Sequence, residues 1–139
     1  MSDPTIFVRK ASHADEEAIS EHRRLGALEA VQYRGSAVSQ QHDSIDTLTF
    51  VAGVGTTIMG SLIATQQSAQ HWTIESVFVE STCREIGIGD SLVVTCLAEL
   101  SQRDAIWVQS RALPGDRATK NLFERHGLVA QTIIVGKAL

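Results

Sequence analysis

The stretch VFVESTCREIGIGDSLV, residues 77–93, passes from strand-forming to helix-forming residues around two glycines. Residues 72–79, which precede the glycines, are rich in β-branched and aromatic residues and are typical of a strand. Beyond it, apolar residues recur at helical spacing over residues 92–100, which predicts a helix with one apolar face. Gly87 and Gly89 therefore lie at a junction between a strand and a helix.

This junction is suited to binding an anion. The first four N–H groups of a helix have no partner inside the helix, and the helix dipole makes that end partly positive. A phosphate can approach those amides when side chains do not cover them, and Gly87 and Gly89 lack a Cβ. Arg84 adds a guanidinium that can donate two parallel hydrogen bonds. A tight strand-to-helix turn explains the glycines equally well, so both interpretations stand.

Two common nucleotide motifs are excluded. A dinucleotide fingerprint needs a third glycine three residues after Gly89, where the chain has Leu92. A Walker motif needs Lys and then Ser or Thr after its last glycine, where the chain has Asp90 and Ser91.

Composition narrows the class of protein. The chain has 139 residues with 43% hydrophobic content, which predicts one domain over residues 1–139. No apolar run is long enough to span a membrane and the first ten residues lack a signal-peptide core, so a cytoplasmic protein is expected. The net charge of −4 argues against nucleic-acid binding. Five histidines and two cysteines show no ligand spacing, so no metal site is expected.

The order of predicted elements indicates an α/β fold with a mixed sheet. Ser12 is predicted to cap the first helix, which has an apolar stripe at Ile19, Leu25, Leu28 and Val31. Residues 34–46 are predicted to be loop. A Gly-containing turn between two β-rich runs predicts a hairpin. The predicted strands cover residues 6–9, 48–52, 57–65, 72–79, 105–110 and 128–135. Three helices are predicted: one after Ser12, one after Gly89 and one over residues 118–126.

The sequence resembles the GNAT superfamily of N-acyltransferases in two places. VFVESTCREIGIGDSLV is similar to its acetyl-CoA motif, in which a strand ending V-x-P precedes R-x-x-G-x-G. DRATKNLFERHGL, residues 116–128, is similar to the later motif N-x-x-A-x-x-x-Y-x-x-x-G-F. Residues 112–124 also resemble a short actinobacterial branch of these proteins. The resemblance implies a GNAT-like fold, with a mixed and mostly antiparallel sheet flanked by helices.

The resemblance also implies how acetyl-CoA, the expected co-substrate, is bound. Backbone groups of the strand would pair with the pantetheine arm, the glycine turn would hold the pyrophosphate, and the later motif would add further contacts. The implied coenzyme residues are Val77, Phe78 and Val79 in the strand, Arg84, Glu85, Ile86, Gly87, Ile88 and Gly89 in the turn, and Asp116, Lys120 and Phe123 in the later motif.

In this superfamily an amine attacks the thioester directly, so a base must first remove a proton from the ammonium. Glu75 is the candidate base, because it lies four residues before Val79 and alternation places the two on one strand face. Pairing of Glu75 with a surface cation is the alternative. His71, expected in the loop before the strand, is a second choice.

Two departures from the family pattern leave the activity open. Phe123 stands where a tyrosine commonly protonates the leaving thiolate, and Asp116 stands in place of the asparagine. The chain is therefore either an N-acetyltransferase with another acid or a non-catalytic module that binds acyl-CoA. The amine acceptor, a small molecule or a protein amine, is not indicated by any motif.

The C-terminal end is short. Eleven residues follow Leu128, enough for one strand where many GNAT chains have two. Either a homodimer covers the open sheet edge, because an unpaired strand is a liability, or the missing strand is dispensable.

Overall fold

The computed structural model describes residues 5–35 and 44–139, so most of the loop predicted over residues 34–46 lies outside it. Five strands and three α-helices follow one another in the predicted order up to residue 125, with short 3-10 turns at His13–Asp15 and Ser81–Cys83. The elements are β1 (Ile6–Lys10), α1 (Glu16–Ala30), β2 (Asp46–Val54), β3 (Thr57–Ser68), β4 (His71–Val79), α2 (Ile88–Gln102), β5 (Trp107–Gln109) and α3 (Arg117–Arg125).

The strands form one mixed sheet in the order β1-β2-β3-β4-β5. Neighbours from β1 to β4 are antiparallel, and β5 is parallel to β4. This confirms the predicted fold class, a mostly antiparallel mixed sheet flanked by helices.

The prediction of a last strand over residues 128–135 is wrong, because residues 128–139 form no strand. Ile133, Ile134 and Val135 are 85%, 75% and 87% exposed. A run of β-branched residues favours a strand only where a partner strand and a packing surface exist. The edge strand β5, which precedes this stretch in the chain, is three residues long and offers a short pairing edge and little packing surface.

The main core lies between the sheet and α2. The apolar helix face predicted after the glycines is buried, including Leu92, Val93 and Cys96, each with no exposed area. These residues pack in one cluster with Trp72 and Ile74 of β4. Burial of these side chains fixes α2, and therefore its N-terminus, against the end of β4.

The opposite side of the sheet meets α1, whose predicted apolar stripe is only partly correct. Leu28 and Val31 are 60% and 81% exposed. The buried residue of α1 is His22, at 3% exposure, and its ring lies 5.0 Å from that of Phe78. A buried histidine therefore lies on the helix face that the aliphatic stripe predicts to be buried.

Ser12 is the N-cap of the 3-10 turn His13–Asp15 and Asp15 is the N-cap of α1, so the predicted cap lies one turn before the α-helix begins. The Ser12 amide donates to the Asp15 carboxylate at 2.7 Å, and Arg9 of β1 donates to both Asp15 oxygens at 2.7 and 3.0 Å. The Arg9 guanidinium holds the pKa of Asp15 well below its usual range. These contacts attach α1 to the edge of the sheet.

Within residues 5–35 and 44–139, no helix has both the length and the apolar character needed to cross a membrane.

We expect Gly60→Ala to destabilise the fold, because its Cβ would lie 2.9 Å from both the Phe78 carbonyl oxygen and a methyl group of Ile88. Forcing atoms into a packed core costs about 1–3 kcal/mol. Gly136→Ala is the control, since no heavy atom lies within 4 Å of its added Cβ. Urea denaturation of the two variants measures the difference, and equal unfolding free energies would contradict the packing described.

Candidate functional site

The strands β4 and β5 separate after a short paired segment. Only residues 71–73 of β4 pair with β5, whereas β4 continues to Val79. At the point of separation, the Ser110 hydroxyl donates to the Ile74 carbonyl at 2.7 Å. The β4 edge beyond Ile74 therefore faces an opening, with Ser110 at its closed end. No sequence motif pointed to Ser110.

A β-bulge lies at Glu75. Ile63 and Ala64 of β3 pair with Ser76 and Ile74, which leaves Glu75 without a register partner. An extra residue shifts the alternation of all residues after it and re-aims the side chain at the bulge. Bulges of this kind are frequent next to active sites.

The bulge overturns the prediction that Glu75 and Val79 share a strand face. Glu75 accepts a hydrogen bond from Thr65 at 2.7 Å, and Thr65 pairs with Thr73, on the face opposite buried Trp72. Val79 instead lies on the α2 face, where its side chain comes within 3.7 Å of a Cβ built on Gly89. Glu75 therefore lies on the α1 side of the sheet.

The Glu75 carboxylate is exposed and its described partner is a hydroxyl. The alternative, pairing of Glu75 with a surface cation, stays open. His71, the second choice, is exposed as the first residue of β4 and borders a different hollow, with Trp107.

A cavity of about 260 Å³ lies between α1, the β3–β4 pair and α3. Glu75 and Phe123 both border it, and Phe123 is 7% exposed. The remaining lining is His22, Arg23, Gly26, Ala27, Ser61, Ile63, Ser76, Val77, Phe78, Ser110, Arg111 and Thr119. The cavity therefore joins the bulge in β4 to the helix that carries the later motif.

The two glycines of the turn play different parts. Gly87 is the N-cap of α2 with a φ of 93°, in the left-handed region that glycine adopts without strain. Gly89 has no such φ, and an added Cβ would lie at an ordinary 3.6 Å from Leu122. The demands of a tight turn therefore explain Gly87 and leave Gly89 unexplained.

The start of α2 presents free amides. The N–H groups of residues 87–90 donate no hydrogen bond to any backbone or side-chain group in the described ranges. The first hydrogen bond of the helix runs from the Ser91 amide to the Gly87 carbonyl at 3.0 Å. The Val79 side chain lies 3.7 Å from the Cβ position of Gly89, so these amides lie beside the end of β4.

Arg84 is held by the protein. Its Nε atom donates to the Val79 carbonyl at 3.0 Å, and its Nη2 atom donates to both carboxylate oxygens of Glu29 at 2.7 and 2.6 Å. Arg84 therefore links the glycine turn to α1, and its contact with a coenzyme stays a prediction.

The two motifs meet at Asp90. Arg125 donates to both Asp90 oxygens at 3.1 Å, and His126 lies 2.7 Å from one of them. The Arg125 guanidinium and the His126 hydrogen bond hold the pKa of Asp90 below its ordinary value despite some burial. This cluster joins α2 to α3 across 35 residues of sequence.

The remaining predicted residues have varied surroundings. Asp116 is the N-cap of α3 and accepts from the Thr119 amide at 3.1 Å, so it has a structural role in the fold. Lys120 is exposed and lies 3.6 Å from Glu124. Of the three β4 residues, Phe78 is buried and Val77 and Val79 are half-buried. Their roles toward a coenzyme stay predictions, as do those of Glu85, Ile86 and Ile88.

Sequence reasoning missed one buried polar group beside the cavity. His22 lies 2.9 Å through Nδ1 from the Ser61 hydroxyl and 3.4 Å through Nε2 from Glu80. Its position three residues after Ile19 and three before Leu25, on the predicted apolar face, was the available signal. No sequence signal pointed to its partners, Ser61 of β3 and Glu80 after β4.

The profile of a protein family described as "Acetyltransferase (GNAT) family" matches residues 13–128 of the chain. No curated protein matches it significantly.

Solved structures share the fold at low sequence identity. A transcriptional regulator from Bacillus halodurans is 19% identical with a TM-score of 0.71, over 97% of this chain and 100% of that one. An aminoglycoside N-acetyltransferase in complex with CoA is 12% identical with a TM-score of 0.73, over 99% and 97%. A ribosomal-protein-alanine N-acetyltransferase from Brucella melitensis is 12% identical with a TM-score of 0.73, over 97% and 99%.

We expect Asp90→Asn to lower the free energy of unfolding at pH 7 by no more than about 1 kcal/mol, because the ion pair is partly exposed. Since the folded-state pKa is lowered, the pair stabilises the fold above the ordinary carboxyl pKa of about 4 and loses this effect as pH falls through the folded-state value. Urea denaturation at a series of pH values should therefore show the two proteins converging in acid. A difference that stays constant down to pH 2 would contradict the assignment.

Proposed function

The chain belongs to the GNAT acetyltransferase family, and from that premise we propose that it transfers an acetyl group from acetyl-CoA to a primary amine by direct attack. One observation supports this most: the open edge of β4 ends beside amides at the start of α2 that have no acceptor among residues 5–35 and 44–139. An extended ligand that ends in a phosphate can pair with both groups.

In the proposed complex the pantetheine arm extends along β4 like an added strand. Backbone groups of Val77 point away from β3 and are available for it. The Phe78 carbonyl faces Gly60 of β3, and the Val79 carbonyl already accepts from Arg84. The pyrophosphate then lies on the amides of residues 87–90, where the helix dipole favours negative charge. The thioester end points along β4 toward the bulge at Glu75 and the cavity.

Glu75 is the proposed acceptor of the proton that the ammonium must lose before attack. Its carboxylate borders the cavity and is also exposed, so it can pass the proton to solvent. The Thr65 hydroxyl, 2.7 Å away, orients it. Positioned acid–base groups contribute about 10²–10⁴-fold to a rate.

The second candidate function is an acyl-CoA-binding module without catalysis. The observation that favours it is Phe123, which borders the cavity and has no proton to give to a leaving thiolate. This module would bind coenzyme A and release no thiol in the presence of an amine.

A thermal-shift titration with coenzyme A, followed by a thiol-release assay with acetyl-CoA and an amine panel, tests the proposal. The panel should include aminoglycosides and a peptide with an N-terminal alanine, after the names of two proteins of the same fold. Coenzyme A at 100 times its Kd should stabilise the fold by about 2.7 kcal/mol. No stabilisation would overturn the proposal, and binding without thiol release would favour the second candidate.

We expect Gly87→Asp to weaken coenzyme A binding at least tenfold more than Gly87→Asn, a separation of about 1.4 kcal/mol. Both residues tolerate the left-handed conformation and have nearly the same size, so the pair isolates the charge placed beside the pyrophosphate. Isothermal titration calorimetry of the two variants gives the ratio. Equal Kd values would show that no phosphate lies at this turn.

We expect Glu75→Gln to lower kcat and change its pH profile while leaving the Kd for coenzyme A within about twofold, because an amide cannot accept the proton. Glu17→Gln, at an exposed position in the first turn of α1, is the matched control. The measurement is steady-state thiol release from pH 6 to 9. A pH profile identical to that of the unchanged protein would exclude Glu75 as the base.

A further inference from the structure

The reaction proposed above lacks a proton donor for the leaving sulfur. A thiolate that leaves the tetrahedral intermediate needs a proton, and the attacking nitrogen must at the same time lose one. Phe123 can supply neither step, although it borders the cavity where the reaction would occur. A group that takes the nitrogen's proton and returns it to sulfur would serve both needs.

A buried histidine with two polar partners borders the same cavity. His22 is 3% exposed and Ser61 is 5% exposed. The His22 Nδ1 atom lies 2.9 Å from the Ser61 oxygen, and the Nε2 atom lies 3.4 Å from an oxygen of Glu80. The Glu80 side chain is 40% exposed, so this line of groups runs from the cavity to the surface.

The chemistry of the partners fixes the tautomer of the neutral ring. An ionised carboxylate can only accept, so Nε2 carries the hydrogen and donates to Glu80. Nδ1 is then the acceptor, and the Ser61 hydroxyl donates to it. A ring held in this way can gain a proton at Nδ1, on the cavity side, while the Glu80 carboxylate stabilises the imidazolium.

We propose that His22, acting with Ser61 and held by Glu80, transfers a proton from the attacking amine nitrogen to the leaving sulfur. This rests on the proposed acetyl transfer and supplies the acid that Phe123 cannot be.

One proton moves from the nitrogen to the sulfur in two stages. After attack, the nitrogen–hydrogen bond of the intermediate breaks, its proton passes to the Ser61 oxygen, and the Ser61 proton passes to Nδ1 of His22. As the carbon–sulfur bond breaks, the same path runs in reverse and delivers one proton to the thiolate. Ser61 and His22 end unchanged, and the products are the amide and the free thiol.

Several charged groups face this arrangement. Glu75 and Arg111 border the same cavity, and Arg23 is the next residue on α1. Arg84 lies 5.9 Å above the ring of Phe78, which packs on His22. Any change in the pH profile must therefore be compared among variants that leave these groups in place.

The first test needs no acceptor. NMR of protein labelled with ¹⁵N histidine, with coenzyme A bound, should show neutral His22 with its hydrogen on Nε2. A hydrogen on Nδ1 would overturn the proposal, because that nitrogen could not then accept a proton from Ser61.

The second test is kinetic and uses acetyl-CoA with the best acceptor of the amine panel. His22→Asn keeps a polar group near the Nδ1 position and cannot be protonated, so kcat should fall about 100-fold with the KM for acetyl-CoA nearly unchanged. Ser61→Ala removes the hydroxyl through which both transfers run and should lower kcat by a similar factor, whereas Glu80→Gln should lower kcat less and alter the pH profile. His13→Asn, at a side chain 93% exposed, is the control and should have no effect.

The variants also separate this proposal from the proposed function. A coenzyme A thermal shift equal to that of the unchanged protein shows that a variant is folded, and Ser61→Ala and Glu80→Gln replace His22→Asn if it does not fold. Absence of turnover in the unchanged protein counts against acetyl transfer itself. Turnover with the kcat and pH profile of the unchanged protein in the His22 or Ser61 variant overturns only the proton-transfer role.

Discussion

The site depends on the separation of β4 from β5, which opens the edge of β4 beside the start of α2, where the first amides have no partner within the helix. Pairing stops at residue 73, the Ser110 hydroxyl satisfies the Ile74 carbonyl, and the amides of residues 87–90 find no acceptor in the described part of the chain. Unbonded backbone groups are costly when they are removed from water, so such an arrangement favours a ligand that bonds to them. In the proposed complex, the pantetheine arm bonds to the edge of β4 and the pyrophosphate bonds to the amides of residues 87–90.

Ion pairs fix the helices around that opening. Arg84 links the glycine turn to Glu29 of α1, and Asp90 links the start of α2 to Arg125 of α3. Both pairs are partly exposed, so each adds little stability by itself. Their effect is geometric, because they hold α1 and α3 beside β4 and so maintain the cavity that the bulge at Glu75 borders.

The chemistry proposed for the cavity follows from a division between exposed and buried groups. Glu75 is exposed and can exchange protons with solvent, whereas His22 is buried and can exchange them only with Ser61, Glu80 or a bound molecule. An attacking ammonium loses two protons in all, one before attack and one after. In the proposal Glu75 takes the first of these protons and His22 takes the second, and Phe123 serves only as an apolar wall.

The sequence alone was enough for the features that depend on neighbouring residues, namely the strand, turn and helix around Gly87 and the order of elements up to α3, and its motifs were enough for the family. These follow from local backbone preferences and from spacing along the chain. Tertiary structure decided the rest. The bulge places Glu75 on the face opposite Val79, the stretch after residue 128 forms no strand, and His22 meets Ser61 and Glu80 across 39 and 58 residues. Register and burial depend on which distant segments pack together, and no local pattern carries that information.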